Sequence, residues 1–97
     1  MNAMTNPLSM FDVKDKVAII TGASGAFGRA TALTLGPMGA KLVLVSGSAE
    51  ELAEVLAEVH EVGGEAVTMQ RRPDSLEDAE AIRDFALDTY GTINQLV

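Results

Sequence analysis

The sequence predicts an α/β chain: the N-terminal half of a doubly wound parallel sheet, strand order 3-2-1-4, with the fourth strand truncated. Three observations carry this. Residues 17–20 and 42–45 are apolar at every position, the mark of strands covered on both faces, where a strand with one wet face would alternate. Segments with helical apolar spacing separate these runs, which implies right-handed crossovers between parallel strands. A glycine-containing turn at 21–28 joins the first strand to the first helix, and in such sheets ligands bind outside the carboxyl ends of the strands. A chain of 97 residues has room for one domain with one modest core.

Taken in order, residues 1–10 are partly polar and lack both a basic start and an apolar centre. They read as a flexible leader and not a signal peptide, ahead of a partial domain over 11–97. The first strand covers 17–21. The first helix covers about 26–36, with Ala30, Leu33 and either Ala32 or Leu35 available to pack on the sheet. Pro37 disfavours helical angles at Gly36, and Gly39 can turn the chain, so the helix ends there. The second strand is 42–45. Ser48 followed by Glu51 has capping-box spacing, and Leu52, Val55, Leu56 and Val59 recur at helical intervals, giving a helix over about 49–62. Gly63 and Gly64 stop it, and 65–70 forms the third strand. Residues 71–74 are a loop; Ser75 with Asp78 suggests a second N-cap, and Leu76, Ala79, Ile82 and Ala86 supply the buried stripe of a third helix to about 89. Tyr90 and Gly91 end it, and a fourth strand opens at 93–97.

Composition excludes several function classes. The formal charge of −7, with only 7 Lys and Arg and no basic stripe, argues against a nucleic-acid partner. The acids fall mostly on helix faces and read as solvated surface. Without cysteine there is no disulfide scaffold and no thiol nucleophile, which fits a reducing, cytoplasmic setting. No apolar stretch reaches the roughly 18 residues that a membrane helix needs. His60 has no second ligand or catalytic partner spaced around it and reads as a surface histidine. Ser24, Ser46 and Ser48 have no nearby His or Lys to activate them, and no residues are spaced as metal ligands, so the catalytic and metal sets are both empty.

The turn at 21–28 carries the chemistry. Gly22 can adopt angles that a side chain forbids, and Gly28 allows the first helical turn to lie close to the strand. The helix then presents free N–H groups and a positive dipole end to the loop, where phosphate binds; the amides of 25–28 are the expected seat of a pyrophosphate. A tight turn that binds nothing is the plain alternative. Three loops converge at this end of the sheet: 21–28, 46–49 and 70–75.

Thr21 and Gly22, three residues, then Ala26, Phe27 and Gly28 resemble the cofactor loop of the short-chain dehydrogenase/reductase family, whose pattern is Thr-Gly, three residues, Gly, any residue, Gly. The likeness continues through Gly39, Ala40 and Lys41 with the apolar run after them, through 63–67, and from Tyr90 and Gly91 to Val97, covering nearly all of the chain from Phe11, which the likeness casts as a packing anchor. The resemblance implies a Rossmann-type fold and an NAD(P)-dependent oxidoreductase acting on a carbonyl/alcohol pair. It assigns cofactor contacts to Thr21, Gly22, Ser24, Gly25, Ala26, Phe27, Gly28, Ser46, Gly47, Ser48 and Arg72. One position departs: the family's middle glycine is Ala26, whose methyl stands where pyrophosphate approaches the backbone, weakening binding or shifting the phosphate toward Gly25.

In the resembled family catalysis rests on a Tyr and a Lys four residues later, aided by Ser and Asn, all beyond Val97. Tyr90 is no substitute, because the residue four positions on is Asn94; it reads as a packing aromatic. Two readings follow: the cofactor-binding part of an oxidoreductase, inactive alone as a fragment, or a non-catalytic nucleotide-binding or interaction module with the same fold. A sheet cut at its fourth strand leaves an uncovered edge, so a homo-oligomer is expected. The cofactor is NADP, by a slight preference, or NAD. Family members choosing NAD usually carry an Asp where this chain has Ser46, yet the two positions where relatives carry a basic residue for NADP are Gly25 and Gly47. Arg72, where the family more often has an Asp beside the adenine, is the remaining cation. Glu50 and Glu51 oppose it, and Arg71 and Arg72 read equally well as solvated loop residues.

Overall fold

Strand sequences that are apolar throughout need cover on two sides, and the chain provides it. A computed structural model describes residues 13–96; the predicted leader and Phe11 lie outside the described residues. Strand β1 (Val17–Thr21) is buried except for its last residue. Strand β2 (Lys41–Ser46) is buried from Leu42 to its end. With β3 (Glu65–Gln70) and the two-residue β4 (Gln95–Leu96) they form a four-stranded sheet in the order β3-β2-β1-β4, and every pairing is parallel. Val17 lies opposite Lys41 and Thr21 opposite Val45; Lys41 lies opposite Glu65 and Ser46 opposite Gln70.

Because side chains alternate across a strand, each strand contributes to two cores. On one face Ala18, Ile20, Leu42, Leu44 and Ala66 meet Ala32 of α1 (Ala26–Leu35) and Leu52, Val55 and Val59 of α2 (Ala49–Glu61). On the other, Ile19, Val43 and Val45 meet Ile82 and Ala86 of α3 (Leu76–Tyr90), with Phe85, Tyr90 and Ile93 at the margin. Arg29 of α1 and Glu58 of α2 clasp across the outside of the first face, Nε to Oε1 at 2.9 Å. Among the described residues no helix is long and apolar enough to cross a membrane.

Four expectations are corrected. The helical backbone reaches Gly36, which sits at φ −54°, ψ −57° despite the following Pro37. Part of the clash that proline imposes falls on the Cβ of the preceding residue, which glycine lacks; the turn closes instead with Gly39 N–H donating to the Gly36 carbonyl at 3.0 Å. Ala30 is exposed on α1 while Ala32 is buried. Leu76 is 76% exposed, about 9 Å along the axis from Ile82 by helical rise, and Ala79, also exposed, borders an open apolar hollow with Ile19 and Ile82. Finally, β4 begins at Gln95, because Asn94 is taken up in clasping Val17. Its backbone N–H donates to the Val17 carbonyl at 2.9 Å, and its Oδ1 accepts from the Val17 N–H at 2.8 Å.

Candidate nucleotide site

Parallel strands of one sheet end at one edge, so the turns after β1, β2 and β3 meet there. They enclose a cleft of about 380 Å³ lined by Gly22, Ser24, Ser46, Gly47, Ser48, Glu51 and residues 71–74. The first turn is held to the second strand by the Ala23 N–H, which donates to the Val45 carbonyl at 3.0 Å. Gly22 has φ +62°, a left-handed conformation that side chains disfavour. Gly28 is buried in the first turn of α1; a β-carbon there would collide with the Gly22 carbonyl oxygen and lie 2.9 Å from Ala23 Cα.

The helix N-termini at this edge differ. In α2 the Ser48 hydroxyl accepts from the Glu51 N–H, and in α3 the Ser75 hydroxyl accepts from the Asp78 N–H. α1 follows Gly25 and has no side-chain cap. The Gly25 N–H itself donates to the Gly22 carbonyl at 3.0 Å, so the expected row of free amides shortens to those of Ala26, Phe27 and Gly28. The first intrahelical bond runs from Arg29 N–H to the Gly25 carbonyl, as helix geometry requires.

Hydroxyls organise the floor. Ser24 Oγ and Ser46 Oγ are 2.7 Å apart, and Ser46 Oγ also accepts from the Ser48 N–H at 3.2 Å. Ser46 is thus a buried organiser of two turns, whereas Ser48 keeps its hydroxyl proton for another acceptor. The two arginines that follow β3 have different duties. Arg71 donates its N–H to the Ser46 carbonyl, and its guanidinium pairs with Asp78 at 2.6 Å. That cation, followed by the Ser75 hydroxyl, holds the Asp78 carboxyl below the usual carboxylate range. Among the described residues no carboxylate pairs with the Arg72 guanidinium, which lies against the α-carbon of Gly47.

Of the residues expected to contact a cofactor, Gly22, Ser24, Ser46, Gly47, Ser48 and Arg72 line the one cleft. Gly25, Ala26, Phe27 and Gly28 form the adjoining start of α1; Phe27 is 78% exposed. Thr21 instead borders a second, apolar hollow of about 230 Å³ with Ile19, Ile82 and Ile93. Arg71 and Glu51 were outside the predicted set, although the capping spacing that locates Ser48 also puts Glu51 in the same turn. Tyr90 is outside the cleft: as the last residue of α3 it packs against the second core, burial and then the nearby Glu65 carboxylate push its phenol up to about 12, and among the described residues its hydroxyl makes no hydrogen bond of ordinary geometry.

Known proteins share this arrangement. Residues 16–97 match the short chain dehydrogenase family. An uncharacterized oxidoreductase of Mycobacterium tuberculosis is 41% identical over 88 residues, 90% of this chain and 32% of its own length. One of Listeria monocytogenes is 37% identical over 84 residues, covering 87% of this chain and 34% of its own. This chain therefore spans about a third of the length of those relatives. Among solved structures, NAD+-bound xylitol dehydrogenase superposes with a TM-score of 0.81 at 33% identity, over 87% of this chain and 32% of that one. A metagenomic short-chain oxidoreductase in complex with NADP gives 0.82 at 32% identity, over 88% of this chain and 38% of that one. A glycine-turned cleft at the carboxyl edge of a 3-2-1-4 parallel sheet, and a family match over nearly every described residue, lead to one conclusion: the chain belongs to the short-chain dehydrogenase/reductase family of oxidoreductases.

Proposed function

We propose that residues 11–97 are the cofactor-binding part of a short-chain NAD(P)-dependent oxidoreductase acting on a carbonyl/alcohol pair. The observation that carries this reading is the uncapped N-terminus of α1 beside the cleft, at an edge where α2 and α3 are both capped by serine. Three unpaired amides at a helix N-terminus suit a phosphate, and the missing Cβ at Gly28 lets them lie close to the Gly22 turn. Ala26 is exposed, so its methyl stands on the open side of the turn, where it narrows the approach of a phosphate to these amides. A nicotinamide dinucleotide held here would supply hydride chemistry for a carbonyl/alcohol pair. The residues of this chain bind and orient: Ser24 and Ser46 fix the turns, Gly22 and Gly28 set the backbone, and Ser48 and Arg72 face the adenosine side of the cleft. No proton-transfer residue is assigned, since Asn94 stands four residues after Tyr90 and is engaged with Val17.

Relatives of similar fold bind NAD+ in one case and NADP in another, so the choice rests on this cleft's own charges. The missing acid at Ser46 removes a repulsion toward a 2′-phosphate, and Arg72 supplies attraction; Glu51 opposes it. NADP is favoured by a small margin. The cysteine-free composition supports a cytoplasmic setting, and a homo-oligomer belongs to the same reading. Titration of the chain with NADP and NAD at one ionic strength is the test. The expected result is a few-fold tighter binding of NADP, with no turnover of alcohol or carbonyl by the chain alone. Binding of neither nucleotide overturns the site, and tenfold tighter NAD overturns the preference.

A further inference from the structure

We propose that Gly47 is a specificity-determining residue, whose bare α-carbon is the seat that lets Arg72 reach from the turn after β3 across the turn after β2 to the adenosine side of the cleft, where a 2′-phosphate would lie. The inference rests on reading the cleft as a dinucleotide site. Gly47 is not required by its backbone, for it lies outside the positive-φ glycines, which are Gly22, Gly39, Gly63 and Gly91 among the described residues. What a side chain would meet there is Arg72. A β-carbon on Gly47 would lie 2.6 Å from Arg72 Nε, 3.1 Å from Cγ and 3.3 Å from Cζ. The guanidinium occupies the volume a side chain would fill.

Two neighbours fix the geometry around this seat. Gln70 Nε2 donates to the Gly47 carbonyl at 3.2 Å, tying the second turn to the end of β3. Arg71 is bound to both the Ser46 carbonyl and Asp78, which holds the backbone just before Arg72. Arg72 is thereby presented over Gly47, beside Ser46 and Ser48, with no carboxylate paired to it among the described residues. One turn supplies the space and the other the charge. The chain thus brings a cation to the turn after β2 although that turn carries no basic residue of its own.

Gly47→Ala tests this with little risk to the fold, because the atoms displaced belong to a flexible side chain and not to backbone. Dissociation constants for NADP and NAD are measured by calorimetry on the full chain for the wild type, Gly47→Ala, Arg72→Ala and the double variant, with circular dichroism as the check on folding. Removing a charge-assisted contact costs a factor of about ten or more, so Gly47→Ala should weaken NADP about tenfold and leave NAD within about twofold. In the Arg72→Ala background the same substitution should cost nothing further. Unchanged NADP affinity, an equal loss for both nucleotides, or a loss that persists without Arg72 overturns the proposal while leaving the nucleotide site standing. A wild type that binds neither nucleotide overturns the site and the proposal together.

Discussion

At the residue scale the site depends on positions where atoms are missing. Gly28 is the clearest: its α-carbon is pressed so close to Gly22 and Ala23 that Gly28→Ala must push α1 off the end of β1. Overpacking of this kind costs about 1–3 kcal/mol, so the variant should melt lower and lose nucleotide affinity, read by thermal denaturation and calorimetry. Full affinity at unchanged stability would contradict the assigned role. Tyr90 gives a pH signature. Its phenol ionises near 10 in an unfolded chain and near 12 in the folded one. Between those values the unfolded state holds fewer protons, so stability is complete below pH 10 and falls as pH rises toward 12. Urea midpoints measured across that range should decline, and Tyr90→Phe should flatten the decline. Gly22 and Gly28 were legible in the sequence because a strand-to-helix turn makes local demands that only glycine meets. The Gly47–Arg72 contact was not, since it joins residues from two turns that become neighbours only when β2 and β3 pair.

At the element scale the caps decide where helices begin. Ser75 accepts the Asp78 N–H at 3.2 Å and its hydroxyl donates to the Asp78 carboxylate at 3.0 Å, while that carboxylate also holds Arg71. One serine therefore starts α3 and steadies the turn carrying Arg72. Ser75→Ala should cost about 1 kcal/mol, the usual worth of an N-cap, measured as a shift in the denaturation midpoint. No shift would mean that water replaces the hydroxyl fully. Both serine caps were readable from spacing alone, and β1 and β3 have the expected bounds. Leu76 was misread because periodicity reports which side of a helix is apolar and not how far the sheet beneath it extends. Free amides were overcounted for a similar reason: the bond from Gly25 to Gly22 depends on a turn conformation that spacing does not specify.

At the scale of the whole molecule, the sheet order and the two-sided core were visible in the unbroken apolar runs of β1 and β2, whose alternate residues serve opposite faces. The division of labour between the faces was not. Among the described residues one face has two helices, clasped to each other by Arg29 and Glu58; the other has α3 alone, beside an apolar hollow at Ile19, Ile82 and Ile93. Such an imbalance makes unfolding stepwise, because segments with less buried apolar contact open at lower free energy than the rest. Amide hydrogens of α3 should therefore exchange with deuterated solvent ahead of those of β1, β2 and the central turns of α2. Since Arg71 is anchored to α3 through Asp78 and to β2 through the Ser46 carbonyl, each such opening removes one of the two ties on the cation turn, and an anion there is gripped less firmly for as long as α3 stays open.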